Sequence, residues 1–285
     1  MLECSDATKA CFSGQRVLLT GASGGLGHAL AIQLAHCHVQ TLVLSGRNKE
    51  SLEVVAKDCK EVCPTITTYV MTCDLADRAS VQNLAEMVLQ VCETIDVLIN
   101  NGGVSSRSNF VDTKLEVDER VMQINFLSGA ALAKAVVPKM VDQQKGKLLW
   151  ISSVQGLVGI PSRTSYAASK FAVQGYCEAL RAELASSGVT VHVASPGYIR
   201  TNLSLSAVTG DGTQYGKMDE TTAKGADPKE VAVSILDSVA KGKADFVVAA
   251  TPSATAAIWL RLLCPGILRN MLVKRFETSK KQKED

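Results

Sequence analysis

The sequence lacks three features that would each point to a particular class of protein. It has no excess of one charge, since 30 Lys and Arg face 28 Asp and Glu, and no basic stripe long enough to follow a phosphate backbone. Binding to nucleic acid is therefore not expected. The nine cysteines include no CxxC pair and are odd in number. Neither a metal site nor a disulfide framework is therefore expected.

The third missing feature is an apolar run of signal-peptide length between Met1 and Gln15. Several cysteines instead fall in or beside helical patterns, where a thiol behaves as a small hydrophobe in a reducing compartment. These are Cys37, Cys59, Cys92 and Cys177. The two observations together predict an intracellular protein.

What is present is the pattern of an α/β domain. Hydrophobic residues make up 46% and charged residues 20% of the 285 residues, as in ordinary globular proteins. Short apolar runs predict strands at Val17–Leu19, Thr41–Leu44, Thr67–Val70, Val97–Ile99, Leu148–Ile151, Val189–Val193 and Phe246–Val248. Longer periodic segments predict helices at Gly25–His36, Lys49–Cys59, Ser80–Cys92, Val117–Val141, Ser165–Ser186 and Pro228–Ala240.

This alternation predicts a single Rossmann-type, doubly wound domain with a seven-stranded parallel sheet flanked by helices. We expect an N-terminal extension over residues 1–13, the dinucleotide-binding catalytic domain over 14–250 and an amphipathic helical tail over 251–285. The Gly-, Ser- and Thr-rich stretch from Thr201 to Asp227 is too long for an ordinary connection. It is either a binding loop or lid, or a mobile insertion.

A glycine-rich turn follows the first predicted strand and opens the first predicted helix. Glycine there permits a tight backbone and the close approach of a pyrophosphate, which the helix N-terminus attracts. A plain turn is the competing interpretation, but the position is the one that a dinucleotide fold requires. The predicted cofactor-binding residues of this turn are Gly21, Ser23, Gly24, Gly25, Leu26 and Gly27.

The end of the second predicted strand bears on the choice of cofactor. An NAD enzyme places an acid there against the ribose 2′-hydroxyl, but the sequence reads Ser45-Gly46-Arg47-Asn48. Arg47 can pair with a 2′-phosphate, so NADP(H) is preferred over NAD(H), unless Arg47 is only a solvated charge. After the next strands, Asp74 is a candidate adenine ligand or a helix cap, and Asn101 with Gly102 form a cofactor-binding loop or a turn.

Ser153, Tyr166 and Lys170 form the most specific pattern in the chain. Tyr166 and Lys170 are four residues apart and share one helical face. A free phenol has a pKa near 10, and we expect the Lys170 ammonium to lower it. Tyr166 would then exchange a proton with a substrate oxygen that Ser153 holds. Asn125, in an apolar helix, needs a buried partner and is a candidate for holding a water beside Lys170.

After the sixth predicted strand, Ser195-Pro196-Gly197-Tyr198-Ile199-Arg200-Thr201 turns the chain back. A Pro-Gly pair alone indicates only a turn. Here the turn reaches the expected nicotinamide position, so Pro196, Ile199 and Thr201 complete the predicted cofactor set. Tyr166 and Lys170 are counted in that set as well as in the catalytic set.

Together these residues resemble the short-chain dehydrogenase/reductase family over roughly residues 14 to 250. The resemblance implies a Rossmann domain, a dimer or tetramer, and a catalytic set at Asn125, Ser153, Tyr166 and Lys170. Where the family commonly has Asn-Asn-Ala-Gly, this chain has Gly102 in place of the alanine. The missing methyl is expected to loosen the loop without removing a functional group.

Residues 217–225 and the tail resemble the dehydrogenase/reductase member 7 branch of the family, particularly its 7B-like members. That branch is tied to endoplasmic reticulum or peroxisomal membranes by an N-terminal anchor, for which the first residues here show no apolar run. The resemblance implies lipid-like carbonyl substrates. Because no anchor is found, the branch's location is not carried over directly, and we expect the protein either in the cytoplasm or on the cytosolic face of one of these membranes.

The tail from Thr251 to Phe276 mixes apolar residues with Arg261, Arg269, Lys274 and Arg275. These charges and Pro265 argue against a membrane span. Two interpretations stay open: an interfacial segment with Trp259 at headgroup level, or a helix packed on the domain or a subunit interface.

The sequence as a whole predicts an NADPH-dependent oxidoreductase. It would transfer hydride between nicotinamide and a carbonyl or secondary alcohol of a lipophilic substrate such as a steroid, retinoid or lipid ketone. The alternative is a membrane-associated dinucleotide-binding scaffold whose catalysis is vestigial.

Overall fold

The computed structural model describes the backbone of residues 4–284 and the side chains of residues 4–278. Residues 1–3 of the expected N-terminal extension, residue 285 and the side chains of the last tail residues lie outside this description. Seven strands form one sheet: β1 (Arg16–Thr20), β2 (Thr41–Gly46), β3 (Thr67–Thr72), β4 (Val97–Asn100), β5 (Gly146–Ile151), β6 (Val189–Pro196) and β7 (Asp245–Val248).

Helices connect the strands and extend both ends of the chain. They are α1 (Asp6–Phe12), α2 (Gly25–His36), α3 (Lys49–Val62), α4 (Arg78–Cys92), α5 (Leu115–Met122), α6 (Ser128–Asp142), α7 (Thr164–Glu183), α8 (Glu220–Ala223), α9 (Pro228–Ala240), α10 (Pro252–Leu263) and α11 (Pro265–Glu284). The seven predicted strands and six predicted helices are all present, with ends that move by a few residues. α1 and α8 were not predicted.

All neighbouring strands pair in parallel, in the order β3-β2-β1-β4-β5-β6-β7. The fold is the predicted doubly wound sheet. Apolar residues from both faces of the sheet form two large buried clusters under the covering helices, as continuous apolar strands require. The strand order reverses between β1 and β4, which opens a crevice at the carboxyl ends of these strands.

A single continuous helix runs from Leu115 to Asp142 and contains a π-helical turn over Gln123–Leu127 between α5 and α6. By length and composition alone, this helix is apolar enough to cross a membrane. Half of the most apolar 18-residue window of this helix is buried inside the protein, and α6 packs on α4 and on the sheet. We therefore assign it to the core.

The predicted thiol environments match the fold. Seven of the nine cysteines are buried, including Cys37, Cys59, Cys92 and Cys177. Burial raises the pKa of Cys59 to about 12 and also raises that of Cys177. Thiols with these pKa values are protonated at neutral pH and pack as small hydrophobes. Among residues 4–284, no group of three or more His, Cys, Asp or Glu side chains is arranged to hold a metal ion.

The two ends of the chain pack differently. In the N-terminal extension, Phe12 of α1 is fully buried in the core, and Asp237 of α9 accepts hydrogen bonds from Ser5 and Thr8. At the other end, α10 and α11 expose most of their described side chains, although five are partly buried and Leu268 is buried. The extension is thus joined to the domain, and the tail lies on its surface.

Candidate active site

The turn between β1 and α2 has a backbone that only glycine accommodates well. Gly21 has a φ of +63°, and a Cβ there would lie 2.7 Å from the Cα of Gly102. A Cβ on Gly27 would lie 2.1 Å from the carbonyl oxygen of Gly21. Gly24 precedes α2, and no described side chain caps its first N–H groups. These N–H groups open into the crevice and suit an anion.

Asn101 joins this turn to the end of β4. Its side-chain amide donates to the carbonyls of Thr20 (3.0 Å) and Gly21 (3.1 Å). The Thr20 hydroxyl in turn accepts from the backbone N–H groups of Asn101 and Gly102 at 3.1 and 3.0 Å. The Asn101 side chain therefore sets the distance between the two loops that form the crevice.

The expectation that Gly102 loosens this loop is not what the structure shows. A Cβ at this position would lie only 2.4 Å from Cδ1 of Leu75. The space of the family's alanine methyl is thus filled by a leucine side chain from the β3–α4 connection. The loop remains packed, and Leu75 compensates for the smaller residue.

Two further predicted cofactor-binding residues, Arg47 and Asp74, line the cleft. Arg47 follows β2, is exposed and lines the cleft, with Gly46 before it in place of an acid. Asp74 also lines the cleft, and its carboxylate accepts the Ala76 N–H at 3.0 Å, while Asp77 caps α4. Asp74 therefore stabilises a local turn and still faces the cleft.

Ser153, Tyr166 and Lys170 meet on the other side of the cleft, and all three are buried. Ser153 lies shortly after the end of β5. Its hydroxyl accepts the Gln155 N–H at 3.1 Å and hydrogen-bonds with the Tyr166 phenol. Lys170 Nζ donates to the Ile151 carbonyl at 2.8 Å and lies 5.7 Å from the centroid of the Tyr166 ring. The three side chains lie together as predicted.

The electrostatics differ from the sequence prediction. Burial raises the pKa of Tyr166 above its usual value, and the opposing influences are the Ser153 hydrogen bond and the charges of Arg107 and Arg163. Lys170, which we expected to lower that pKa, is itself so buried that its own pKa falls to about 8. The charges that oppose the effect of burial on the Tyr166 pKa are therefore those of Arg107 and Arg163, which the sequence did not predict.

Asn125 lies in the π-helical turn, behind the cleft. Its amide nitrogen donates to the Val104 carbonyl and to Ser169 Oγ, both at 2.9 Å, and its oxygen accepts the Val104 N–H at 2.8 Å. A Cβ on Gly103 would lie 3.1 Å from Asn125 Oδ1 and 3.6 Å from Lys170 Nζ. Asn125 thus has the buried partners that we expected. A water-holding role remains a prediction.

The segment after β6 closes the cleft. Ile199 forms an isolated bridge with Ala226, and the Thr201 methyl lies 2.8 Å from a Cβ placed on Gly25. Residues 201–227 are folded over the site, since Val208 exchanges backbone hydrogen bonds with Ser105 and Arg107 at 2.9 and 2.8 Å. The lid interpretation fits this packing better than a mobile insertion.

All of the predicted site residues except Asn125 line this single cleft. The sequence pattern does not reveal a neighbouring group of charged and phenolic side chains: Arg107, Arg163, Tyr198 and Asp219. Arg163 comes three residues before Tyr166, but no local pattern connects it to Asp219, which is 56 positions away.

The crevice residues fit a dinucleotide. The glycine turn leaves room where a Cβ would intrude, and among the described side chains none caps the α2 N-terminus that faces this space. A parallel sheet with such a turn at its switch point defines the Rossmann class of nucleotide-binding proteins.

Comparison with known sequences places the chain more narrowly. The model of the short chain dehydrogenase family matches residues 15–211, more than half of the chain. The protein belongs to this family of oxidoreductases.

Curated relatives match nearly the whole chain. The "Dehydrogenase/reductase SDR family member 7B" of Bos taurus is 44% identical over 271 residues, covering 94% of this chain and 83% of the relative. The "Dehydrogenase/reductase SDR family protein 7-like" of Anopheles gambiae is also 44% identical, covering 93% of this chain and 84% of the relative. The resemblance to the member 7 branch is thereby confirmed.

Solved structures share the fold. A short-chain dehydrogenase from Sphingobium yanoikuyae in complex with NADPH is 25% identical, with a TM-score of 0.73 over 91% of this chain and 95% of that one. A short-chain dehydrogenase/reductase from Burkholderia phymatum in complex with NAD is 22% identical, with a TM-score of 0.76 over 88% of this chain and 93% of that one.

Proposed function

We propose that this protein is an NADPH-dependent reductase of a lipophilic ketone or aldehyde, with Tyr166 as the proton donor. The observation that carries the proposal is the buried group of Ser153, Tyr166 and Lys170 beside the glycine turn, in one cleft. When bound, the nicotinamide supplies a hydride to the carbonyl carbon. The protein supplies the proton and the hydrogen bonds.

In this mechanism Ser153 Oγ donates a hydrogen bond to the substrate oxygen as negative charge develops on it. The Tyr166 hydroxyl gives its proton to the same oxygen, so that the carbonyl becomes an alcohol, and oxidation runs the same steps backwards. Lys170, held by the Ile151 carbonyl at 2.8 Å, places a cation beside the tyrosine and the cofactor position. Asn125 keeps the Val104 backbone in place beside these groups.

The cofactor would lie along the predicted residues. The α2 N-terminus after Gly24 would bind the pyrophosphate, Asp74 the adenine amino group, and Ile199 with Thr201 the carboxamide. Arg47 would bind a ribose 2′-phosphate, since its guanidinium is exposed at the cleft and no acid precedes it. The solved relatives include both an NADPH complex and an NAD complex, so this assignment depends on Arg47 and on the missing acid.

The cofactor preference can be tested with Arg47→Ala and, as a matched control, Lys49→Ala, another exposed cation of the same segment. We expect Arg47→Ala to weaken NADPH binding about tenfold or more, the worth of one charge-assisted pair, and to leave NADH binding unchanged. Equal weakening for both cofactors, or none, would contradict the 2′-phosphate role.

The outer part of the cleft would receive the substrate. Apolar side chains there come from Ile124, Leu203 and Val208, next to the polar groups of Ser105 and Arg107. This lining supports a largely apolar carbonyl compound with a few polar atoms.

The activity is tested by following NADPH absorbance with a panel of steroid, retinoid, quinone and long-chain ketones. Tyr166→Phe should keep NADPH binding but lower kcat by orders of magnitude on any good substrate. An active Tyr166→Phe enzyme would disprove the mechanism. NADPH binding without oxidation across the panel would favour the alternative, a scaffold with vestigial catalysis.

We further propose that the tail binds an anionic membrane surface, which would place the protein on the cytosolic face of an intracellular membrane. Residues 251–285 contain seven Lys or Arg and three Asp or Glu, whereas the rest of the chain has 23 and 25. The exposed apolar side chains of this tail include Trp259, Leu262, Leu263, Ile267 and Met271. A cationic, apolar surface suits the interface of an anionic bilayer.

Flotation with vesicles of phosphatidylcholine, with and without phosphatidylserine, tests this surface. We expect binding to the anionic vesicles alone, weaker at high salt, with a blue shift of Trp259 fluorescence. Leu262→Ser with Leu263→Ser should abolish it, and Val54→Ser with Val91→Ser, exposed apolar residues outside the tail, should not. If these tail changes instead dissociate a dimer or tetramer, measured by light scattering, the surface is a subunit interface.

A further inference from the structure

A largely buried cluster of charges lies beside the Tyr166 cleft and takes no part in the proposed proton transfer. One carboxylate oxygen of Asp219 accepts from Arg107 Nε at 2.8 Å, from Arg107 Nη2, and from Arg163 Nη2 at 3.2 Å. The side chains of Arg107, Arg163 and Asp219 are 11%, 11% and 16% exposed. Charged groups with this little exposure to solvent require partners, and Asp219 is the carboxylate that both guanidinium groups share.

The cluster connects Asp219 to the backbone around Tyr166. Arg107 also donates to Ser105 Oγ at 2.6 Å and to the Ser106 carbonyl at 2.7 Å. The Ser106 hydroxyl in turn accepts the backbone N–H of Tyr166 at 3.3 Å. A displacement of Arg107 would therefore disturb the backbone of the first turn of α7.

Arg163 extends the cluster to the end of β6 and to the tail. It is the residue before α7 begins, and its Nη1 donates to the Tyr198 hydroxyl at 3.2 Å. That hydroxyl also hydrogen-bonds with Arg275 of α11, and the two arginine charges lower the pKa of Tyr198 against its burial. Asp219 itself lies in the lid, between Thr201 and Asp227. One carboxylate thus joins the lid to the segment after β4 and to α7.

Two guanidinium groups share one carboxylate, so the cluster keeps one uncompensated positive charge. If the carboxylate were removed, two buried cations would remain without a counter-charge. The cost of leaving buried charges unpaired is large compared with the stability of a lid, so the arginines would move toward solvent.

We propose that Asp219 is a positioning residue that holds the Arg107 and Arg163 guanidinium groups beside Tyr166 and keeps the lid closed over the cleft. The catalytic consequence rests on the proposed function, whereas the placement of the arginines does not.

The groups that face the Tyr166 phenol define what this placement does. They are the Ser153 hydroxyl from the β5 connection, Arg107 from the segment after β4, Arg163 and Lys170 from α7, and Tyr198 from the end of β6. The two arginines lower the pKa of Tyr166, against the effect of burial. If Asp219 positions them, its loss should raise that pKa. If Asp219 contributes only its negative charge, its loss should lower the pKa, because both cations would stay in place.

Because the two roles of Asp219 would shift the Tyr166 pKa in opposite directions, they can be distinguished without a substrate. We would label the full chain with [ζ-¹³C]tyrosine, assign the Tyr166 signal among the five tyrosines with Tyr166→Phe, and titrate it by NMR. We expect Asp219→Asn to raise the Tyr166 pKa by about one unit, and Asp219→Glu to restore most of it. Asp211→Asn is the matched control, because Asp211 is an exposed carboxylate of the same lid outside the cluster.

Two further measurements keep the test decisive. Trypsin cleavage at Lys217 and Lys224, normalised to the unfolded variant, should be at least several-fold faster in Asp219→Asn than in Asp211→Asn. If Asp219→Asn does not fold, Arg163→Met removes one of the cations and leaves Arg107 paired with Asp219. It should also raise the Tyr166 pKa.

The proposal is overturned if the Tyr166 pKa falls or stays constant in Asp219→Asn. If Arg163→Met has to be used instead, the same result in that variant overturns it. Unchanged trypsin cleavage of a folded Asp219→Asn would also overturn it. If the wild type turns over a carbonyl substrate, the pH profile of kcat should shift in the same direction as the NMR titration. A wild type without turnover contradicts the proposed function alone, because the NMR titration still measures the placement of the arginines.

Discussion

The amine of Lys170 lines the cleft although the residue is almost completely buried. The side chain is 4% exposed and donates to the Ile151 carbonyl at 2.8 Å. A neutral carbonyl compensates only part of the lost hydration of an ammonium ion, so burial lowers the pKa of Lys170 to about 8. The lysine is therefore still mostly protonated at neutral pH, although the fold disfavours its charge.

This lowered pKa predicts how stability depends on pH. Unfolding returns Lys170 to its ordinary pKa of 10.5, so below pH 8 both states are protonated and the full cost of the buried charge remains. Between pH 8 and 10.5 the unfolded chain binds a proton that the folded chain does not, and stability rises with pH. The free energy of unfolding of the wild type should gain about 3 kcal/mol relative to Lys170→Met across this range.

Urea unfolding at half-unit steps of pH would measure this difference. Other groups titrate in the same range, but those that do not contact Lys170 behave alike in both proteins and cancel in the comparison. Lys49→Met, which replaces an exposed lysine, should show no such pH-dependent difference from the wild type. A constant difference between wild type and Lys170→Met would mean that the amine is not buried as described.

The sequence predicts contacts between residues that lie close together along the chain. Tyr166 and Lys170 are one helical turn apart, and Ser153 directly follows a strand, so their spacing alone predicts a cluster. Arg107 and Asp219 are separated by 112 positions, and the contact exists only after the lid folds over the sheet. The influence of Arg107 on Tyr166, and the carboxylate that holds both arginines, could therefore not be predicted from the sequence around Tyr166.

Among the elements, the helix from Leu115 to Asp142 owes its position at the site to one irregular turn. The π-helical turn over Gln123–Leu127 contains Asn125, whose side chain pairs with both backbone groups of Val104. Val104 has no strand partner at this point, so the amide takes the place of a neighbouring backbone. The helix thereby fixes the segment that follows β4 and the two glycines before it.

Asn125→Ala should therefore be costly. It leaves the Val104 N–H and carbonyl without partners, and a loss of about 2–3 kcal/mol in the free energy of unfolding is expected, together with several-fold weaker binding of NADPH. The matched control is Gln123→Ala in the same turn, since Gln123 is partly exposed and pairs with Arg78 and the Leu75 carbonyl. It should cost no more than about 1 kcal/mol. Denaturant unfolding and cofactor titration measure both effects, and equal losses would contradict the role of Asn125.

Periodicity predicts this helix over Val117–Val141 but not its π turn. Five residues of π-helix shift the apolar face by only a fraction of a turn, so the pattern remains helical on both sides. Short helices are also hidden from the sequence. α8 has four residues and α1 has seven, too few for an apolar period to appear.

For the molecule as a whole, the sheet order explains why distant segments meet. The loops after β1, β4, β5 and β6 all begin at the same edge of the sheet, because the carboxyl ends of parallel strands lie on one side. Alternating strands and helices predict such a sheet, and the glycine turn indicates where the crevice lies. The pattern does not predict the strand order, because that order depends on how the crossover helices pack on the sheet.

The boundary expected at residue 14 is less clear in the folded protein than in the sequence. Phe12 is fully buried in the same core cluster as residues of β1, α2 and α9. Asp237 of α9 accepts hydrogen bonds from Ser5 and Thr8, and these contacts hold α1 in place. Residues 4–12 therefore complete one side of the domain instead of extending from it.

If α1 is part of the cooperative unit, Phe12→Ala should lower the free energy of unfolding by about 3–5 kcal/mol, as for other buried phenylalanines. Phe110→Ala, which truncates a phenylalanine that is 78% exposed, should change it by less than about 0.5 kcal/mol. Calorimetry should show one transition in each protein, with the midpoint several degrees lower for Phe12→Ala alone. A separate early transition in Phe12→Ala, or a loss no larger than that of Phe110→Ala, would mean that α1 unfolds independently of the sheet.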